Sequence, residues 1–139
     1  MKLSVKSDYA ARAVLWLARH HHEGVPRRVE DLATAQGIPA NYLVQILIEL
    51  KSNQIVRSHR GKDGGYSLGR SPAEITLGDV LRSMHGEVFD SPALNDPQCP
   101  EELRNAWRKL QGALNDSADS ITFQQLLEES SGKQKMYYI

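Results

Sequence analysis

A short break between two helical segments, Gly37-Ile38-Pro39, constrains the fold of this chain more than any other feature. Residues 29–36 are predicted to form a short helix, which Gly37 ends by taking the left-handed conformation. Pro39 fits the first turn of the next helix, since its missing N–H has no partner there, and that helix is predicted to run to about residue 52. The buried stripe of this second helix is predicted at Leu43, Ile46, Leu47 and Leu50.

A β-hairpin is predicted directly after these two helices. Residues 55–58 and 66–68 favour strands, and the loop between them carries three glycines and the two positive charges of Arg60 and Lys62. Two short helices around a glycine form a helix-turn-helix, and a glycine-rich basic hairpin behind it completes a winged helix. The fold class is therefore predicted as mainly α with a small β-hairpin.

Four further helices are predicted outside this region. The first covers residues 8–21 with Ser7 as its N-cap, another starts after Thr76, and the last starts after Thr122. A longer helix begins at Pro100, and its apolar stripe is predicted to pair two copies of the chain or to pack on its own domain. The residues of this stripe are Leu103, Trp107, Leu110 and Leu114. Residues 1–86 are thus predicted as a winged helix-turn-helix domain, and residues 87–139 as a loop, a dimerisation helix and a C-terminal helix.

The net charge of zero conceals two halves of opposite charge. Residues 1–70 contain eleven Lys and Arg against six Asp and Glu, and the remaining residues reverse these numbers. A basic half beside an acidic half indicates one surface that attracts polyanions and another that does not. This pattern favours nucleic-acid binding by the N-terminal half.

Several function classes lack support in the sequence. No nucleophile, phosphate-loop or dinucleotide motif occurs, and catalytic residues are predicted as none. One cysteine, Cys99, excludes an internal disulfide and a zinc site of several cysteines. Consecutive side chains in His20-His21-His22 point about 100° apart on a helix, so they do not converge on one metal ion. No apolar run is long enough to span a bilayer, and the N-terminus does not resemble a secretory signal, so a cytoplasmic location is expected.

Several segments from the N-terminus to about Gly86 resemble the Rrf2-type bacterial regulators, the family that includes IscR, NsrR and CymR. They are Ser7-Asp8-Tyr9-Ala10, Asp31-Leu32-Ala33, Gly37-Ile38-Pro39, Tyr42-Leu43, Arg60-Gly61-Lys62-Asp63-Gly64-Gly65-Tyr66-Ser67-Leu68 and Ile75-Thr76-Leu77. The resemblance implies a homodimeric winged-helix transcription regulator, paired through its long helix. It also implies, for many members, an iron–sulfur cluster held by three closely spaced cysteines in the loop before that helix.

The chain departs from the cluster-binding pattern. Only Cys99 remains in that loop, with Ala93 and Asn105 at six residues to either side. A cluster needs several thiolates, and an occasional His or carboxylate substitutes for one of them. Asp8 matches a position that ligates the cluster in some relatives, and it also suits the start of a helix. We therefore expect no cofactor and a similarity to the cluster-free branch, in which a partner protein, a small molecule or a thiol such as Cys99 carries the signal.

The residues predicted to bind double-stranded DNA lie on the second helix of the motif, on the hairpin and near the N-terminus. They are Pro39, Ala40, Asn41, Tyr42, Val44 and Gln45 on the helix, Arg60, Gly61, Lys62, Gly64 and Gly65 on the hairpin, and Ser7, Arg27 and Arg28 as phosphate contacts. Asn and Gln pair with adenine, and the helix carries no arginine to read guanine, so an A·T-rich site is favoured. The predicted function is a homodimeric repressor at an inverted-repeat operator. The alternatives are a protein–protein docking module and a small-ligand sensor that regulates through a partner.

Overall fold

The structure is a computed structural model that describes residues 2–137, with side-chain surroundings up to residue 131. Six α-helices and one two-stranded antiparallel sheet make up this part of the chain, which confirms the predicted fold class. The elements are α1 (Val5–Arg19), α2 (Val29–Gln36), α3 (Ala40–Ser52), β1 (Val56–His59), β2 (Gly65–Leu68), α4 (Leu77–His85), α5 (Glu101–Ser120) and α6 (Phe123–Tyr137).

The turn between α2 and α3 agrees with the prediction at Gly37 and differs from it at Pro39. Gly37 ends α2 with a φ of 64°, in the left-handed region where glycine has no steric cost. Pro39 is the N-cap of α3 rather than a residue of its first turn, and its carbonyl accepts the N–H of Leu43 at 2.9 Å. All four residues of the predicted stripe are fully buried: Leu43, Ile46, Leu47 and Leu50. The opposite face of α3 is therefore free to meet another molecule.

The first helix begins three residues before its predicted start. Ser4 is the N-cap, because its backbone is extended and its Oγ accepts the N–H of Ser7 at 3.0 Å. Ser7 lies inside the helix, where its side chain is 1% exposed and accepts a hydrogen bond from the Ser4 hydroxyl. The prediction of Ser7 as N-cap is wrong, since a second serine at the right spacing performs that role.

The hairpin gains a third backbone segment that the sequence did not reveal. Val56 pairs with Leu68 and both are buried, so this face of the hairpin packs on the core. Arg27 pairs with Tyr66 on the other side of β2 through two backbone hydrogen bonds of 2.8 and 2.7 Å. Gly65 permits this approach: its φ is 144°, and a Cβ there would lie 2.2 Å from the Arg27 carbonyl oxygen. The wing is thus joined to the segment that leads into α2.

The C-terminal segments attach to the N-terminal core through capped helix starts. Thr76 and Asp79 form the predicted capping box of α4, and Thr122 and Gln125 form the equivalent pair at α6. Phe123 is fully buried in the same core cluster as residues of α1 and α3. Residues near 123 therefore complete the core of the domain predicted at 1–86. Within residues 2–137, no helix has both the length and the apolar character that crossing a membrane requires.

Candidate nucleic-acid interface

The exposed face of α3 carries the amide side chains that the sequence predicts as DNA contacts. Asn41 and Gln45 are exposed, as are Pro39 and Ala40 at the start of the helix, and Val44 is half-buried. Because the apolar stripe faces the core, these groups share the side that points away from it. An α-helix presented in this way fits the major groove of B-DNA, where amides pair with adenine. That these residues contact bases stays a prediction.

Tyr42 is more constrained than its neighbours on α3. Its ring is 39% exposed and meets the ring of Tyr9 edge-on, with 5.8 Å between centroids. The guanidinium of Arg12 lies 5.7 Å from the centroid of Tyr9 and forms an ion pair of 2.8 Å with Asp8. Tyr42 is therefore held against α1, and Asp8 is already engaged by a cation.

Ile48 is an exposed apolar residue on α3 that sequence reasoning did not identify. Its side chain is 49% exposed. It follows Asn41 by seven residues and Gln45 by three, a spacing that places all three on one helix face. This spacing was the available signal, and it lengthens the candidate reading face by one turn.

The wing tip presents two cations on a turn that requires glycine. Arg60 and Lys62 are exposed, and within the described residues no carboxylate lies within 4.0 Å of either. The N–H of Gly64 donates to the Gly61 carbonyl at 3.0 Å, and Gly61 has a φ of 101°. A Cβ on Gly64 would lie 2.3 Å from the His59 carbonyl oxygen. The turn geometry accounts for these glycines and leaves both cations available to an anion.

The predicted phosphate contacts near the wing divide into three cases. Arg28 is exposed and donates through Nη2 to the Lys62 carbonyl at 2.8 Å, which fastens the wing tip to the start of α2. Arg27 forms an ion pair with Glu23 and lies 5.9 Å from the Trp16 ring, so its side chain is directed inward. Ser7 is 1% exposed, which leaves little of its surface for a phosphate, so the structure does not favour its predicted contact, which stays a prediction.

The three consecutive histidines do not form a metal centre. The His20 ring packs against the Trp16 ring at a tilt of 53°, with 4.5 Å between centroids, and its Nδ1 lies 3.4 Å from a Glu23 carboxylate oxygen. Burial lowers the pKa of His20, and the positive charge of Arg27 lowers it further. No group of three or more His, Cys, Asp or Glu side chains is placed to hold a metal ion in the part of the chain that the structure describes.

A second exposed surface lies on α5. Only Ala118 of this 20-residue helix is buried. Leu103 is 44% exposed and Leu110 is 42% exposed, while Trp107 and Leu114 are half-buried. The alternative that the stripe packs wholly on its own domain is therefore wrong for Leu103 and Leu110. An apolar stripe left in contact with water is typical of an interface.

The donor atoms near α5 do not fit an iron–sulfur cluster within one chain. Cys99 is the one cysteine of the sequence; it is half-buried, and its thiol donates to the Pro100 carbonyl at 3.7 Å. Asp8, the other candidate ligand, is paired with Arg12. A cluster takes four ligands that are mainly thiolates, and this chain provides one.

Comparison with known proteins agrees with the geometry. The family model described as Rrf2, iron-dependent transcriptional regulator, matches residues 3–129. The chain is 32% identical over 137 residues to the HTH-type transcriptional regulator CymR of Bacillus subtilis, covering 99% of this chain and 97% of CymR. The structure of B. subtilis CymR superposes with a TM-score of 0.81 at 30% identity, covering 93% of this chain and 98% of CymR. That of T. potens IscR gives 0.80 at 31% identity, covering 99% and 97%. The chain therefore belongs to the Rrf2 family of DNA-binding transcriptional regulators and is not an enzyme.

Proposed function

We propose that this protein is a homodimeric repressor that binds an inverted-repeat operator and works without an iron–sulfur cluster. One observation carries the proposal: the exposed amides of Asn41 and Gln45 lie on α3, and the chain then leads directly into a wing whose tip carries two cations that have no carboxylate partner among the described residues. A helix of this kind reads bases in the major groove, and an adjacent wing grips phosphate or enters the minor groove. Such a role places the protein in the cytoplasm, where bacterial DNA lies.

The chemistry of these side chains favours an A·T-rich half-site. Asn41 and Gln45 can each form two hydrogen bonds with adenine, and Val44 and Ile48 offer methyl groups to the 5-methyl of thymine. Arg60 fits a narrow minor groove, since A·T tracts concentrate negative potential there. No arginine lies on α3 to read guanine.

The stripe of α5 supports pairing of two chains. Leu103 and Leu110 remain in contact with water in one chain, and a second copy would cover them. Two-fold pairing presents two α3 helices to one duplex, so the half-sites would lie about 34–36 Å apart, one helical turn. Occupation of such a site blocks a promoter, and a regulatory protein or small molecule would relieve it.

Selection of bound DNA from random sequence tests this proposal. We expect a two-fold symmetric, A·T-rich site whose affinity falls steeply with rising salt, because several phosphates are neutralised on binding. Asn41→Ala should lower the discrimination at one base pair by about 1–3 kcal/mol, whereas Asn105→Ala, an exposed asparagine on α5, should not. Arg60→Ala should weaken binding to all sequences and reduce the salt slope by about 0.9 per half-site.

The matched control for Arg60→Ala is Lys109→Ala, which removes one exposed positive charge from α5. If the protein selects no sequence, or if Asn41→Ala and Arg60→Ala bind the selected site like the wild type, the proposal is wrong. Iron analysis of the purified protein tests the absence of a cluster: stoichiometric iron and sulfide in an anaerobic preparation would contradict it.

A further inference from the structure

A cationic cleft lies at the base of the wing, away from the tip residues that the proposed function uses. It is formed between the C-terminal end of α3 and the two ends of the hairpin that are nearest the core, and its volume is about 530 Å³. Lys51, Arg57 and Arg70 line it, together with Gln54 and Ser58. We propose that this cationic cleft binds the phosphate backbone of the duplex that flanks the half-site, an inference that rests on the proposed function.

The backbone around the cationic cleft is sharply turned. Gln54 has a φ of 64°, in the left-handed region that only a small share of non-glycine residues adopt. Gly69 packs against this turn: a Cβ there would lie 2.5 Å from the Gln54 carbonyl oxygen, and its N–H donates to the Ile55 carbonyl at 2.8 Å. The ends of the hairpin are thus drawn together, and the three cationic side chains are held around one depression.

Two of the three cations of the cationic cleft, Lys51 and Arg57, have no acidic partner in the part of the chain that the structure describes. No acidic residue lines it, and within the described residues no carboxylate lies within 4.0 Å of Lys51 or Arg57. Arg70 is the partly neutralised member of the three: its Nη1 forms an ion pair of 3.7 Å with Asp79 Oδ2 and donates to the Glu74 carbonyl at 3.4 Å. Its Nε is buried and has no hydrogen-bond partner among the residues that the structure describes. Like charges gathered in one place raise the local potential, so the cleft attracts an anion.

The cationic cleft continues the proposed DNA surface along β1. Val56 faces the core, so Arg57 next to it points to the opposite side of the strand, and His59 follows on that side. β1 ends at His59 and Arg60 follows it directly, so about 10 Å of extended backbone at most separates Arg57 from Arg60. A DNA strand carries one charge about every 3.4 Å of the helix axis, so a duplex that meets the wing tip has further phosphates at this distance.

An acidic protein segment fits the cationic cleft less well than DNA. The free edge of β1 is only four residues long, and charged side chains on an edge strand discourage the addition of another strand. Protein interfaces also rely on apolar or aromatic anchors, whereas Val56, the apolar residue in the lining, is already buried in the core.

Duplex length separates this inference from the proposed function. The experiment compares Kd for the minimal selected operator with Kd for the same operator extended by ten base pairs on each side. The wild type should bind the extended duplex more tightly and with a steeper salt dependence. The double variant Lys51→Ala/Arg57→Ala should lose about 0.9 of salt slope for each phosphate contact removed, on the extended duplex only. On the minimal duplex it should bind like the wild type.

The control is the double variant Arg19→Ala/Lys109→Ala, which removes the same charge from exposed positions elsewhere. Both double variants change exposed side chains, and circular dichroism with thermal melting checks that they fold. Charge reversal by Lys51→Glu provides a second test, and it should weaken binding to the extended duplex further.

The inference is overturned if the wild type binds the extended duplex no more tightly than the minimal one, or if Lys51→Ala/Arg57→Ala loses affinity equally on both duplexes. It is also overturned if that variant binds the extended duplex like the wild type, and a simultaneous loss of affinity for a hexaglutamate peptide would then identify an acidic protein segment as the occupant. Failure of the wild type to bind even the minimal duplex would instead remove the proposed function and this inference together.

Discussion

Helices α3 and α5 are both amphipathic, but they differ in what their apolar residues contact. The stripe of α3, Leu43, Ile46, Leu47 and Leu50, is wholly buried in its own chain. On α5 the equivalent stripe leaves Leu103 and Leu110 more than two-fifths exposed, and only Ala118 of that helix is buried. The exposed face of α3 is mainly polar, whereas an exposed face of α5 is apolar.

This difference assigns a different partner to each helix. A polar face with directed amides, beside the exposed cations Arg60 and Lys62, is suited to base edges and phosphates. An apolar stripe in water lowers its free energy by meeting another apolar surface, at about 25 cal/mol per Å² of area buried. We therefore expect α3 to meet DNA and α5 to meet a second copy of the chain. The following changes test this division, in order of decreasing effect.

The largest effect is expected from a charge in the α5 stripe. Leu110→Glu should give a monomer by light scattering, because an unpaired carboxylate would be desolvated in the interface. Operator affinity should fall by about 100-fold or more, since the two half-sites would no longer be bound together. The side chain is exposed in one chain, so the fold itself should persist.

Asn105→Glu is the matched control, as it places the same charge at an exposed position of α5 off the stripe. It should remain a dimer and bind the operator like the wild type. A Leu110→Glu protein that is still a dimer at micromolar concentration would show that the stripe is not the interface.

Gly65→Ala should have the next largest effect, and it acts on the α3 side of the comparison. The new Cβ would overlap the Arg27 carbonyl, and the φ of 144° is one that glycine alone adopts readily. We expect a loss of about 2 kcal/mol or more in the free energy of unfolding, measured by urea denaturation. Gly112→Ala is the control: nothing lies within 4 Å of its Cβ, and alanine favours a helix by about 0.5–1 kcal/mol. Equal stability of the two variants would argue against the close backbone contact between Gly65 and Arg27.

A smaller effect is expected at the junction between α4 and α5. Arg82 forms two hydrogen bonds with Asp119, of 2.7 and 2.9 Å, and this contact lowers the pKa of Asp119. The folded protein therefore keeps this stabilisation above the ordinary range of an aspartate and loses it as the pH falls through the lowered pKa. Asp119→Asn should lower the free energy of unfolding at neutral pH by about 0.5–1 kcal/mol, a small value because the pair is partly exposed. The variant should also lose less stability than the wild type when the pH is lowered into the acid range. If urea denaturation at several acid pH values shows the same loss of stability in the wild type and in Asp119→Asn, the role of this pair is wrong.

The smallest effect is expected at His20. Its pKa is lowered below the ordinary 6.5 by burial and by Arg27, so the unfolded chain binds the proton more readily than the folded protein. Stability should therefore fall slightly as the pH drops below 6.5, and His20→Gln should remove that slope. Thermal melting between about pH 5 and 7.5 measures it, at constant ionic strength. A wild-type protein that becomes more stable toward acid pH, with a slope that His20→Gln abolishes, would show that the pKa of His20 is raised instead.

Local chemistry made much of the fold predictable from the sequence. The glycine at 37, the capping box at Thr76 and the apolar spacing in α3 each depend on neighbours within a few residues, and the structure confirms them. Ser7 was misassigned as a cap because Ser4 offers the same hydroxyl three residues earlier, where the backbone is extended. Local patterns do not distinguish two such serines unless the burial of the helix is known.

Features that depend on distant residues were not predictable in the same way. The pairing of Arg27 with Tyr66 joins segments 39 residues apart, and it explains why Gly65 must be glycine. The inward position of the Arg27 side chain follows from this pairing, whereas the sequence suggested a phosphate contact. Phe123 joins the N-terminal core for a similar reason, since its own N–H donates to the Ile75 carbonyl at 3.0 Å. The sequence does not predict Ile48 as a surface residue, because its exposure depends on which side of α3 the other helices pack against.

The most direct test of the claim that α3 and the wing bind one duplex together is a ¹⁵N NMR titration of the protein with its selected operator. The side-chain amides of Asn41 and Gln45 report on α3, and the backbone amides of Gly61 and Gly64 report on the wing. The account predicts that all four signals shift with a single apparent Kd, while the amides of residues 103–114 shift little at concentrations where the dimer is already formed. Signals that shift on α5 alone, or on only one of the two DNA-facing elements, would contradict it.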